Sequence, residues 1–228
     1  MLNGKIKKMD NIDHSKSHDR FASTYDSQVK QYKSYGHEAL FGMCYEFIEP
    51  GDSLLDLGIG TGLSSVLFAK AGLDITGLDE SLEMLKECRK KGFAKEIKQY
   101  NIQDVPLPYS DNAFSHIVCC GVFHFFGDLQ PTIKDAYRIL RPAGIFAFTI
   151  ASLTAKEAKS DCESMPDYIE VQSAWGIPIF KHSDKYVSEI AETLGLTIQK
   201  EAKVLADSGD KDAGDILFKV IVMQKTVF

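Results

Sequence analysis

The feature that most constrains this chain is a short apolar run that breaks into a glycine loop. Ser53-Leu54-Leu55-Asp56-Leu57 reads as a buried strand, and Gly58-Ile59-Gly60-Thr61-Gly62 follows at once. A helical stretch with Val66, Leu67 and Ala69-Lys70-Ala71 comes next and stops at Gly72. Glycines let a backbone turn sharply and come close to a ligand that a Cβ would repel. The helix behind such a loop offers amide groups that have no partner inside the helix. The order strand, glycine loop, helix therefore predicts a ligand site at the carboxyl edge of an α/β sheet. A loop of this kind serves many nucleotides, and a plain strand-to-helix turn stays open as the alternative.

The rest of the chain repeats the alternation. Asp74-Ile75-Thr76-Gly77-Leu78 predicts a second strand that ends at Asp79. Ser81 is a good N-cap for a helix from Leu82 to Lys91, and Gly92 closes it. Glu96 to Ile102, Phe114 to Cys120 and Ala143 to Ile150 predict three further strands. Ile133, Ala136, Tyr137 and Leu140 mark an amphipathic helix stopped at Pro142, and Val187, Ile190, Ala191 and Leu194 mark another capped by Gly195. Leu196 to Leu205 and Ile216 to Gln224 predict a terminal hairpin across an acidic, turn-rich linker. Ahead of the first strand, Phe21, Tyr25, Val29 and Tyr32 recur at helical spacing, as do Leu40, Met43, Cys44 and Phe47. Strands alternating with helices predict a doubly wound parallel sheet covered on both faces. With 228 residues the chain suits one domain with a sizeable core. Residues 1–20, which lack periodicity and an apolar signal segment, are expected to be a flexible leader ahead of a single domain over 21–228. Residues 152–182 show no clean period, and so long an irregular segment points to a functional insertion.

Composition narrows the partners. A formal net charge of -6 argues against a general nucleic-acid or membrane-surface binder, because those partners are held by basic patches. No stretch approaches the roughly 20 apolar residues of a membrane span. The cysteines, Cys44, Cys88, Cys119, Cys120 and Cys162, form no CxxC pair and no ligand spacing with histidine. Cysteines without a framework suit a reducing cytoplasm, and no ligand cluster predicts a metal. The glycine loop also departs from the dinucleotide fingerprint GxGxxG, since Leu63 stands at the sixth position. That mismatch speaks against a nicotinamide dehydrogenase and leaves room for another nucleoside. Asp79 occupies the place where a doubly wound sheet binds ribose hydroxyls; an acid that merely caps the next helix is the alternative.

Leu54-Leu55-Asp56-Leu57-Gly58-Ile59-Gly60-Thr61-Gly62 resembles the first motif of class I S-adenosylmethionine-dependent methyltransferases. Gly77-Leu78-Asp79-Glu80-Ser81 with Met84-Leu85 resembles the second. Asn101 to Tyr109 followed by Phe114-Ser115-His116-Ile117-Val118 resembles the family's acid-then-Leu-Pro-Phe passage, with Tyr109 in place of Phe and His116 where an acid is usual. Arg138-Ile139-Leu140-Arg141-Pro142-Ala143-Gly144 resembles its Leu-Lys-Pro-Gly-Gly turn. The resemblance is strong over about residues 20–151 and leans to the small-molecule, quinone-biosynthesis-type branch. It implies a Rossmann-like, seven-stranded α/β sheet of order 3-2-1-4-5-7-6 with strand seven antiparallel. It also implies lid helices over 21–50 that fold across the cofactor, and an acceptor pocket shared with 152–182.

Roles follow from the resemblance residue by residue. The backbone at Gly58 and Gly60, with Thr61 and Gly62 completing the loop, would lie against the methionine part of S-adenosylmethionine. Asp56 would organise the loop and reach the amino group. Asp79 would take the ribose hydroxyls, while Glu80 and Met84 flank the adenine, with Ser81 beside them in the second motif's cofactor-binding set. Asp104 would accept the adenine amino group, with Ile102 and Gln103 beside it. Gly121 and Val122 would line the carboxyl edge. Tyr25 and Tyr32 would present electron-rich faces to the sulfonium, unless they are only the apolar stripe of the lid helix. His124, just past strand four, could act as a general base, or be a satisfied structural histidine. His182 and Trp175, in the irregular segment, are weaker candidates. The implied reaction is methyl transfer to a small-molecule acceptor, leaving S-adenosylhomocysteine, by a monomer or homodimer in the cytoplasm. A non-catalytic cofactor-binding or regulatory protein, and methylation of protein or RNA, stay open as alternatives.

Overall fold

The computed structural model describes residues 19–155, 157, 166–173, 177–206 and 216–227. Among them, a 3-10 turn (Ala22–Thr24) leads into helix α1 (Tyr25–Gln31), and α2 (Gly36–Cys44) follows. Then come β1 (Ser53–Leu57), α3 (Ser65–Lys70), β2 (Asp74–Asp79), α4 (Leu82–Lys91), β3 (Glu96–Gln99) and β4 (Phe114–Cys119). The second half holds α5 (Gln130–Ile139), β5 (Leu140–Ser152), β6 (Tyr168–Gln172), β7 (Pro178–His182), α6 (Asp184–Leu194), β8 (Leu196–Ala206) and β9 (Ile216–Lys225).

Seven of these strands form the sheet the resemblance implies, in the order β3-β2-β1-β4-β5-β9-β8. β1, β2, β3, β4 and β5 are mutually parallel, and β9 is antiparallel to both β5 and β8. Two layers of helix cover it, as a parallel sheet requires. On one face α5 and α6 set Ile133, Ala136, Val187 and Ile190 against Phe146, Phe148, Ile221 and Met223. On the other, α2, α3 and α4 set Leu40, Phe68 and Leu85 against Ile145, Ala147, Val220 and Val222. Neighbouring residues of β5 and β9 thus serve opposite faces, the period of two that a strand dictates.

The insertion is more ordered than its sequence suggests. β6 and β7 form an antiparallel hairpin within it, and β7 also pairs with the end of β5, Ala151 with Lys181 and Ser152 with His182. Ala151 pairs at the same time with Phe218 of β9, so β7 must lie on the opposite edge of β5, the edge that β4 leaves after Phe148. The hairpin therefore continues the sheet beyond the carboxyl end of β4. Its outer strand alternates exposed and half-buried residues too weakly to show a period by itself.

Boundaries shift for local reasons. The third strand ends at Gln99 instead of Ile102, because Asn101 Oδ1 accepts from the Gln103 amide (2.9 Å) and turns the chain. The helix expected to stop at Pro142 ends at Ile139, since Leu140 already pairs with Phe114. Ser81 and Gly92 cap α4 as expected: the Ser81 hydroxyl accepts from the Met84 amide, and Gly92 adopts φ +66°.

Candidate functional site

The carboxyl ends of β1, β2 and β4 open into one cleft of about 600 Å³. Its floor is the glycine loop. Gly58, Gly60 and Gly62 have φ of +82°, +53° and +84°, values in which an L side chain is strained. At Gly58 a Cβ would also lie 2.4 Å from Val122 Cγ2, so the loop can approach β4 only as glycine. The loop is pinned from β2: Gly58 and Ile59 amides donate to the Leu78 carbonyl (2.8 and 2.9 Å). The Gly60 amide donates to Asp79 Oδ2 (2.8 Å).

Two of the acids on the cleft wall, Asp56 and Asp79, come from the ends of β1 and β2. Asp56 is buried; Ser65 Oγ donates to its Oδ2 (2.6 Å), and its Oδ1 has no protein partner. Burial pushes the Asp56 carboxyl up to about 7, against the lowering effect of Ser65. Asp79 accepts from the Ser81 amide through Oδ1 (2.8 Å) as well as from Gly60. Burial raises it too, and those two amides work against the rise. Each oxygen of Asp79 thus spends one acceptor site on the backbone and keeps another.

The N-terminal segment closes the cleft from outside. Thr61 Oγ1 donates to Asp26 Oδ1 (2.5 Å), and Lys91 Nζ donates to Asp26 Oδ2 (2.6 Å). Ser81 Oγ donates to Asp19 Oδ1 (2.5 Å), so a residue expected in the leader is bound to the rim; residues 1–18 lie outside those described. These links hold Tyr25 and Tyr32 over the cleft, whose wall both line. Burial, with Cys120, Asp79 and Asp26 nearby, pushes the Tyr25 hydroxyl up to about 12, so it stays a neutral donor.

Most of the sequence candidates meet in this cleft. Tyr25, Tyr32, Asp56, Gly58, Gly60, Thr61, Asp79, Glu80, Met84, Ile102, Gly121, Val122 and His124 all line it. Gly62 and Ser81 support the wall from behind: a Cβ at Gly62 would meet Phe93 at 2.5 Å, and Ser81 caps α4. Gln103 and Asp104 are exposed and off the wall, and Tyr100 and Asn101 stand there instead. The Asn101 turn is what swings residues 103 and 104 outward. His182 is fully buried away from the cleft; its Nε2 lies 3.0 Å from the Gly127 carbonyl, and its ring stacks on Tyr186. Trp175 lies outside the described residues.

Beyond Val122 the cleft turns apolar. Phe125 and Phe126 follow β4, Ile177 and Ile179 come from the hairpin, and Val204, Ile216 and Phe218 come from β8 and β9. His124 sits among them, its ring 4.1 Å from that of Phe125 and 5.3 Å from Phe218. Thr149 on β5 accepts from the Gly121 amide (2.7 Å) and fixes the turn between the two halves of the cleft. Sequence reasoning did not single out Val204, Ile216 and Phe218. These residues read as ordinary strand interior, and their side of the sheet depends on register. Among the described residues no group of three or more His, Cys, Asp or Glu could hold a metal ion.

Residues 55–148 match a family model described as a methyltransferase domain. That span runs from β1 through β5 and contains both carboxylates, the glycine loop and His124. Over that span the chain is similar to class I S-adenosylmethionine-dependent methyltransferases. Curated relatives of this chain include a malonyl-[acyl-carrier protein] O-methyltransferase of Serratia marcescens, 33% identical over 60% of the chain and 52% of the relative. Another is a demethylmenaquinone methyltransferase of Tropheryma whipplei (strain Twist), 30% identical over 42% of the chain and 41% of the relative. The chain spans about half the length of the first of these. Among solved structures, a Methanosarcina mazei SAM-dependent methyltransferase superposes with a TM-score of 0.65 at 17% identity, covering 82% of this chain and 98% of the other. The Burkholderia thailandensis 1,6-didemethyltoxoflavin-N1-methyltransferase, solved with S-adenosylhomocysteine, superposes with a TM-score of 0.67 at 15% identity, covering 94% and 88%. At such identities the likeness concerns the fold.

Proposed function

We propose that this protein binds S-adenosylmethionine between α1 and the glycine loop and transfers its methyl group to a small acceptor in the apolar half of the cleft. The observation that carries this reading is the continuity of the two halves: carboxylates and glycine backbone at one end, an apolar chamber at the other, with Gly121 and Val122 between them.

The residues fit the cofactor. Asp56 Oδ1 is a buried acceptor with no protein partner, suited to an ammonium group. A Cβ at Gly60 would meet nothing closer than 4.0 Å, so the bare backbone faces open space where a ligand can approach it. Asp79 keeps acceptor capacity on both oxygens for ribose hydroxyls. Met84, Ile102 and Tyr100 supply apolar surface for a base, and Asn101 supplies a polar edge. Asp104, exposed and off the wall, has no part in this reading. The acids Asp56, Asp79 and Glu80 along this half suit a ligand that carries both a sulfonium and an ammonium charge.

S-adenosylmethionine supplies a methyl group already activated by positive sulfur, so the protein's task is mainly to align and enclose. Val122 and Gly121 set the separation between the two ligands. α1, tied down through Asp26, excludes water, and Tyr25 presents its ring or hydroxyl toward the sulfonium. Where the acceptor atom carries a proton, His124 is the group on the chamber wall that can take it. Among the described residues no helix is long and apolar enough to cross a membrane.

Calorimetric titration with S-adenosylmethionine and S-adenosylhomocysteine, with NAD as control, tests the reading. Binding of both sulfur ligands near one equivalent, and none of NAD, is expected. A folded sample that binds neither sulfur ligand would remove its basis. Binding without transfer to any acceptor in a broad screen would favour the non-catalytic alternative.

A further inference from the structure

The charges around the acceptor half say what it can hold. Lysine and arginine are absent from the described wall of the cleft, whose acids are Asp56, Asp79 and Glu80 and whose histidines are His37, set against Glu38 (3.1 Å), and His124. The described cations on the elements that build the far wall bond elsewhere or point away from it. On β7, Lys181 shares a face with Ile179 but is ion-paired to Glu157. On β9, Lys219 follows Phe218 and so points to the opposite face, where it is buried against Asp184 (2.5 Å) and Glu201 (3.5 Å). Lys203 pairs in register with Lys219 and shares that opposite face. Lys200 on β8 donates to the Met43 carbonyl (3.0 Å) and pairs with Glu46 (3.1 Å), under α2. Lys91, at the rim, is held by Asp26.

A carboxylate or phosphate held against the far wall, away from the sulfonium, would lose its water and meet no protein counter-ion, which is costly. An uncharged ring would meet the faces and edges of Phe125, Phe126, Phe218 and the His124 imidazole, contacts that favour aromatic partners. We infer that the acceptor is an uncharged, apolar, ring-bearing molecule, and that acidic acceptors, including malonyl-type thioesters, are excluded by charge. This rests on the cofactor and acceptor halves being assigned as proposed above. It separates the chain from what the name of its Serratia relative describes.

The test compares two probes of one shape, 2-naphthol and 2-naphthoate. Each is titrated by calorimetry into the full-length protein saturated with S-adenosylhomocysteine, at about pH 8, above the ordinary range of imidazole. At least tenfold tighter binding of the naphthol is expected. The variant Phe218→Arg, which brings a cation into the chamber, should cut that preference at least fivefold, with S-adenosylhomocysteine titration and thermal melting as its fold checks. Ile179→Arg is the second variant should the first fail to fold. Equal or tighter binding of naphthoate to the unmodified protein, or no binding of either ring, overturns the inference while leaving the cofactor assignment standing. Failure to bind S-adenosylhomocysteine at all overturns the cofactor assignment first.

Discussion

Asp56 shows how one buried oxygen can couple ligand binding to pH. Its carboxyl titrates near 4 in an unfolded chain and at about 7 in the fold. Folding therefore favours the protonated form, and the stability it lends is present below about pH 4 and lost as pH rises through 7. Asp56→Asn should accordingly stabilise the ligand-free protein at pH 8, by on the order of 1–3 kcal/mol, in thermal or urea unfolding. A ligand ammonium needs the ionised form, so affinity for S-adenosylmethionine should rise between about pH 6 and 8, and the Asn variant should lose both the affinity and its pH slope. A flat profile in the unmodified protein would count against Asp56 as the ammonium acceptor. Asp79→Ala should weaken the same binding by on the order of 1–3 kcal/mol, since ribose hydroxyls and the Gly60 amide both lose their acceptor. Unchanged calorimetric affinity in a folded variant would refute that role. Ala143 presents the opposite case, a residue under strain. It sits at φ +61° in the turn before the straight part of β5, where the family turn has glycine. Ala143→Gly should stabilise the protein by about 1 kcal/mol in chemical denaturation.

At the scale of elements, α1 is short, has no side chain buried over its whole surface, and is held across the cleft by polar links. The Thr61 hydroxyl is buried where it donates to Asp26, whereas the Lys91–Asp26 pair is more exposed and screened by solvent. Such a strap can open without disturbing the sheet. Asp26→Ala should therefore speed release of S-adenosylhomocysteine about three- to tenfold in stopped-flow measurements, while the ligand-free melting temperature moves by only about 1–2 °C. A large fall in the melting temperature would mean instead that α1 belongs to the cooperative core. The β6–β7 hairpin works by the reverse principle. It is fastened by ladder bonds to β5, and by His182 to the Gly127 carbonyl, so the wall it supplies is stiff.

For the whole molecule, the cleft joins residues from 21 to 218, and a ligand filling it clamps the N-terminal segment to the sheet edge. S-adenosylhomocysteine at about 100 times its dissociation constant should add about 2.7 kcal/mol and raise the melting temperature by roughly 5–10 °C. NAD at the same concentration should leave it unmoved. The two helix layers bury both faces of the sheet independently of the ligand, so the ligand-free protein should still unfold in one cooperative transition.

Local chemistry decided much of this protein from the sequence alone. The strand and helix order, the caps Ser81 and Gly92, and the glycine loop follow from periodicity and from residues that only certain backbone angles accept. Asp56 and Asp79 could be singled out because each lies at or next to the end of a readable strand beside that loop. Other features came only with the tertiary structure. Whether Phe218 or Lys219 faces the cleft is a matter of register, and a shift of one residue would exchange them. The hairpin within 152–182 is a strand pair because β5 outruns β4 and offers it an edge; its own residues carry little pattern. The position of Asp104 turned on a single side chain, Asn101, which bent the chain outward before the acid could reach the wall. Periodicity records which side of an element is apolar. Which distant elements share a cavity is decided by long-range pairing, and that pairing placed an apolar chamber opposite the carboxylates.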